Sequence, residues 1–150
     1  MLLILTTLFS LLNFNLIQHK TDLKIELNSN TSTEWKIEYI DSEIKIESAT
    51  LIIDDKANGI KHERIIFKYS NLTSKKITIS FSRKLYYNGK CIGCENSLDK
   101  KISITLNPLE TISYDDLNND KAYYVFSKDL NKTITKTLDS FQLTPIEKIY

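Results

Sequence analysis

Cys91 and Cys94 stand two residues apart in the run LYYNGKCIGC and are the only cysteines of this 150-residue chain. That spacing serves a local disulfide, thiol–disulfide exchange, or half of a zinc site. A reactive C-x-x-C sits at the start of a helix, which lowers the first thiol's pKa. Here strand and turn signals flank the pair, and Glu95 adds a negative charge that disfavours a thiolate. A zinc site usually takes four ligands, and His19 and His62 supply no second recognisable pair. The default is a disulfide that staples a loop, with a thiol–disulfide redox protein as the alternative. Closing so short a loop is worth only about 2 kcal/mol in the chain-entropy model, so it orders the loop and does not hold up the fold.

The other candidates are weaker. Asp116, Asn118 and Asp120 match the first oxygen ligands of a calcium loop, but Lys121 stands where glycine is needed and Ser127 where the bidentate glutamate would be. A solvated acidic loop is the plainer reading, and no cofactor is expected. His62, beside Glu63 and Arg64, lies on the strand face opposite Ile65 and Phe67 and reads as a solvated histidine. The chain has no G-x-S-x-G, no H-E-x-x-H and no glycine-rich phosphate loop, and its many carboxylates offer no anchor for a glycosidase pair. Tyr86-Tyr87 and Tyr123-Tyr124 are adjacent pairs on strands, so one ring of each points away from the core. Outward tyrosines suit protein and sugar contacts, and the four form the candidate binding surface; packing under loops or across strands is the competing explanation. Asn-x-Ser/Thr sequons begin at Asn30, Asn71 and Asn131 and matter only in a glycosylating pathway.

The elements that must position these groups are strands. Leu23 to Leu27, Trp35 to Tyr39, Ile65 to Tyr69, Ile77 to Tyr87 and Ile102 to Leu106 all alternate apolar and polar residues. Arg83 interrupts the apolar row of 77–87, a place for an edge arginine whose guanidinium reaches water. Between Ile46 and Leu51 the apolar phase shifts from even to odd, which a bulge or break near Glu47 to Ala49 would explain. Asn58-Gly59 and Asn88-Gly89 are hairpin dipeptides, and the polar loop from Ser70 to Lys75 reads as closing a further hairpin between 65–69 and 77–87. Ala122 to Phe126 is a continuous apolar strand, and Phe141, Leu143 and Ile146 mark the last, with Pro145 signalling an edge or irregularity. No window after the leader keeps a helical period. Seven to nine short strands with regular turns indicate an all-β, antiparallel β-sandwich.

The segments IIFKYSNLTSKKITISF and ISITLNPLETIS, a strand closing on Asn-x-Thr and a later L-x-P-x-E step, resemble bacterial extracytoplasmic immunoglobulin-like domains. With LYYNGKCIGC, the arrangement over Ile60 to Ser113 is similar to that of uncharacterised small secreted proteins of the Bacteroidetes. The resemblance implies an immunoglobulin-like sandwich and brings no catalytic residues. Antibody domains cover a distant cysteine pair with tryptophan, whereas Cys91 and Cys94 are neighbours; Trp35 therefore reads as ordinary core or rim.

Met1 to Ile17 is apolar and uncharged, about the length of a signal-peptide core and short of the roughly 20 residues of a membrane span. No basic residue precedes it and no A-x-A site follows. A signal peptide over 1–19 and a single domain over 20–150 are expected, with an uncleaved anchor or amphipathic helix as the alternative; only that segment would touch a membrane. No cysteine near its end supports lipid attachment. The formal net charge is +1, with basic and acidic doublets scattered, which disfavours nucleic acid as a partner. The whole points to an exported, non-catalytic binding or structural module whose partner is a protein or glycan at the cell surface.

Overall fold

The computed structural model describes residues 34–94, 101–114, 120–132 and 136–150. The leader, the expected strand at Leu23 to Leu27, and Asp116 and Asn118 lie outside the described residues. Every regular element described is a strand, eleven in all, and every pairing is antiparallel.

Two twelve-residue strands, β2 (Ile44–Asp55) and β3 (Ile60–Asn71), form the longest ladder, unbroken from Ile44 opposite Asn71 to Asp55 opposite Ile60. Their β-branched and aromatic content suits strands buried along one face. The loop between them is closed by the Asp55 carboxylate, which accepts from the backbone N–H (3.2 Å) and side-chain amide (2.7 Å) of Asn58. Gly59, at φ 64°, supplies the left-handed residue. Against β3 the phase shift in β2 is not a bulge. Ile44 and Ile46 enter the main core from one face, while Ala49 and Leu51 enter a second cluster from the other, with Ile66, Trp35, Tyr114 and Tyr124. The covered face changes while the register toward β3 does not; across the other edge the ladder with residues 36–40 slips between Ile37 and Tyr39, opposite Glu47 and Ile46.

β1 (Lys36–Ile40) flanks β2, and the far edge of β3 carries two short strands end to end. β8 (Thr111–Ser113) lies beside Lys68 to Ser70, and β9 (Tyr124–Asp129) beside His62 to Ile66. Glu47 is buried in this sheet and balanced by Lys45 (3.2 Å) and its cross-strand neighbour Lys68 (3.0 Å), whose ammonium lies 4.2 Å from the Trp35 ring centre.

The expected hairpin between 65–69 and 77–87 does not form. β4 (Ile77–Phe81) pairs instead with β7 (Ile102–Leu106) and β11 (Glu147–Ile149), in another sheet. Both segments are apolar on one face, and crossing between sheets sets those faces against each other; a hairpin would lay them side by side. Asn71, 2% exposed, makes the corner. Its amide donates to the carbonyls of Lys75 (2.7 Å) and Asn107 (2.8 Å), and its oxygen accepts from the Thr73 N–H and hydroxyl, both at 2.9 Å. The Glu110 carboxylate meanwhile takes the Asn107 N–H at 2.6 Å, and Leu109, at φ 56°, completes the opposing turn.

A third sheet joins β5 (Arg83–Tyr87) to β6 (Lys90–Ile92) and β10 (Leu138–Leu143). β4 runs into β5 through Ser82, and β10 into β11 past Pro145; the two bends are bonded, Ser82 N–H to Thr144 Oγ1 at 2.7 Å and Thr144 N–H to the Ser82 carbonyl at 2.9 Å. The second and third sheets are thus halves of one curled surface. The eleven strands of the described residues exceed the expected seven to nine, in part because the runs 77–87 and 138–149 each break at a bend into two. Phe67 and Tyr69 of the first sheet pack with Ile77, Ile79, Phe81, Ile104 and Leu106 of the second and Tyr87 of the third in one core.

Candidate functional site

Among the described residues a cleft lies where β5 and the first residues of β7 face β9. β9 bonds to β3 along one edge only, with the Tyr123 carbonyl accepting the Phe67 N–H at 2.9 Å. The carbonyls of its other edge point at the core, where an unbonded carbonyl would be costly. Side chains bond them instead. Tyr69 donates to the Ala122 carbonyl (2.7 Å), Tyr87 to that of Phe126 (2.5 Å), and Arg83 to those of Lys121 and Tyr124. Among the described residues no strand pairs with this edge of β9 or with Lys121 and Ala122 just before it; three side chains bond there instead, and a cleft of about 710 Å³ lies beside them.

Among the described residues Leu85, Ile102, Val125 and Phe126 supply its apolar walls, Tyr87 an aromatic one, Tyr124 its carbonyl, and Arg83, Lys101, Ser103, Asp120 and Lys121 its polar groups. Arg83, taken from the sequence for an edge residue, packs inward: its guanidinium carbon is 4.9 Å from the Phe67 ring centre, and burial lowers its pKa. Its place just past the Ser82 bend aims it there. The signal was present in the sequence as the one charge breaking the apolar row of 77–87. Burial likewise raises the pKa of the Tyr69, Tyr87 and Tyr123 hydroxyls.

The four candidate tyrosines do not converge. Each pair does face two ways: Tyr87 is buried and Tyr123 packs on Tyr69, whereas Tyr124 lies in the second cluster, edge-on to Tyr114 with Arg64 4.2 Å from its ring centre. Tyr86 instead sits by the cysteines, its hydroxyl 3.8 Å from Cys94 Sγ. Only Tyr87 and Tyr124 line the cleft.

Cys91 and Cys94 are joined in a disulfide with Cα atoms 5.9 Å apart. Cys91 belongs to β6, opposite Tyr86, and Asn88-Gly89, with φ 47° and 73°, makes the two-residue turn that brings β6 back along β5. Gly93, at φ 82°, is indispensable there, since a Cβ would lie 2.9 Å from the Arg83 carbonyl oxygen.

His62 is half-buried beside Phe126, and its Nε2 accepts from Arg64 Nε at 2.9 Å. Burial, then the Arg64 charge, lowers its pKa, so it is a neutral acceptor rather than a solvated cation. Asp120 accepts the Ala122 N–H at 2.8 Å. Among the described residues no three His, Cys, Asp or Glu side chains cluster to hold a metal ion, and no helix is long and apolar enough to cross a membrane.

No protein-family model, curated protein or solved structure matches the chain. The cleft must be interpreted from its own chemistry. It presents one guanidinium on an apolar and aromatic wall, an arrangement able to hold and orient a small molecule.

Proposed function

We propose that this chain is a non-catalytic binding module, an exported immunoglobulin-like β-sandwich acting in the periplasm, at the cell surface or outside the cell, with the cleft between β5, β7 and β9 as its ligand site. The observation that carries the reading is the cleft itself: about 710 Å³, walled by apolar and aromatic side chains with a few polar groups converging on it. That is the size and composition of small-molecule sites. Export is supported by the apolar leader of 1–17 and by the disulfide, which persists in oxidising compartments. The sandwich reading is supported by the crossing at Asn71 and by the core shared among the three sheets. An accessory role toward a protein or glycan at the cell surface is part of the same proposal.

The second reading is a thiol–disulfide redox protein, favoured by the exposure of Cys94. Two experiments separate them. In an amide NMR screen of small metabolites and saccharides against the full chain, a ligand should shift Leu85, Tyr87, Val125 and Phe126; binding that leaves all four unmoved overturns the site. Thiol titration with and without reductant should show an inert disulfide, whereas a reversible couple with a nucleophilic thiol at neutral pH would establish the redox reading instead.

A further inference from the structure

Arg83 is out of proportion to its structural task. Among the described residues two carbonyls occupy one N–H on each terminal nitrogen, leaving three of the five guanidinium donors, and no carboxylate lies within ion-pair distance, the Asp120 charge acting only from further off. Nearly all the other described cations with buried stems are matched: Lys68 by Glu47, Lys148 by Asp41 and Glu43. A desolvated cation without a counter-charge is costly, and the cost is recovered when an anion arrives. The fork presents parallel donors that fit a carboxylate in two bonds.

The surroundings narrow the class. Lys101 is engaged by Glu147 at 2.5 Å, Asp120 brings a negative charge to the lining, and Lys121 is exposed and makes no ion pair among the described residues. One buried and one rim cation suit a single negative charge, whereas a polyphosphate or nucleic acid needs a row of them. The remaining wall is Leu85, Tyr87, Ile102, Val125 and Phe126, with Tyr124 contributing its carbonyl, and it accepts an apolar or ring-shaped body.

We propose that the cleft selects small monocarboxylates with a ring-shaped body, the carboxylate held by Arg83 and the ring lying against Leu85, Tyr87 and Val125. This rests on the cleft being the ligand site, and the test separates the two. The full chain is titrated with benzoate and with glucuronate, each beside its neutral counterpart, benzamide and glucose, following the amide resonances of Tyr87, Val125 and Phe126. At least one acid should bind about tenfold to a hundredfold more tightly than its neutral partner, the range of hydrogen bonds to a charged group. Whether the aromatic acid or the acidic sugar wins identifies the source of the carboxylate. Equal binding of acid and neutral form keeps the cleft as a site and overturns the anion selectivity. Failure of all four to move these resonances overturns the monocarboxylate assignment, and the wider metabolite screen then decides the cleft. R83K, which keeps the charge and loses the fork, should lose most of the preference. Because R83K touches Phe67, K121Q at the exposed rim is the companion: it should weaken the acid about twofold to fivefold with no effect on the neutral form, and an unchanged preference in a folded R83K protein overturns the role of the fork.

Discussion

Asn71 shows how much one polar side chain can decide. All its amide groups are used inside the protein, two as donor and two as acceptor, and its backbone N–H bonds the Glu110 carbonyl at 2.9 Å. N71A removes four hydrogen bonds of this half-buried corner and leaves the Asn107 carbonyl and the Thr73 N–H without their side-chain partner, and should lower unfolding free energy by about 2–4 kcal/mol in urea titrations. N71D, which keeps the acceptor and loses the donors, should be no better. The motif that carried the resemblance, Asn71-Leu72-Thr73 with the later Pro108 and Glu110, was legible as residues. Its meaning as a corner between sheets was not, because periodicity gives the apolar face of a strand and never says which strand it will pair with. Arg83 carries the same lesson. A charge in an apolar row signals an edge or a site, and only the Ser82 bend determines which.

At the level of elements, the C-terminal strand β11 is an edge strand held by charge. Lys148 bonds Asp41 at 2.6 Å and also reaches Glu43, which accepts from the Tyr150 hydroxyl at 2.9 Å. Burial raises the Asp41 pKa, but Lys148, the N–H groups of Ile44 and Glu43 and the Tyr39 hydroxyl outweigh it and hold the carboxyl well below its usual range. With the folded value below the unfolded one, the stabilisation is complete above about pH 4 and is lost as pH falls through the folded value. Hydrogen-exchange protection of β11 should therefore drop in acid before that of β2 and β3, and K148M should lower it about fivefold at neutral pH, leaving little further acid response from this pair. The existence of most strands was plain from alternation. The irregularity expected near Glu47 to Ala49 lies on β1, opposite Ile46 and Glu47, and not in the ladder of β2 with β3, because a shift of apolar phase is the same whether the chain slips or the environment switches sides.

For the molecule as a whole, the core is built from all three sheets and the disulfide lies at the rim of the third. C91S/C94S should cost no more than about 2 kcal/mol and leave the shifts of Phe67, Tyr69 and Phe81 in place; global unfolding would contradict the division of labour described here. The all-β character was legible from period alone. The cleft was not, since it lies where no strand among the described residues pairs with one edge of β9 and side chains from three distant places meet its carbonyls. The Asn71 corner also decides which cells can make this protein. Asn71 opens a sequon, and both hydrogens on its amide nitrogen are spent within the fold. A sugar added to that nitrogen while the chain is still emerging would replace one of those hydrogens and place a bulky group where the two sheets close. Production through a eukaryotic secretory pathway should therefore yield misfolded, degraded chains that N71Q does not rescue, whereas T73V, which removes the acceptor signal and keeps both donor bonds of the Asn71 amide while losing those of the Thr73 hydroxyl, should restore part of the secretion.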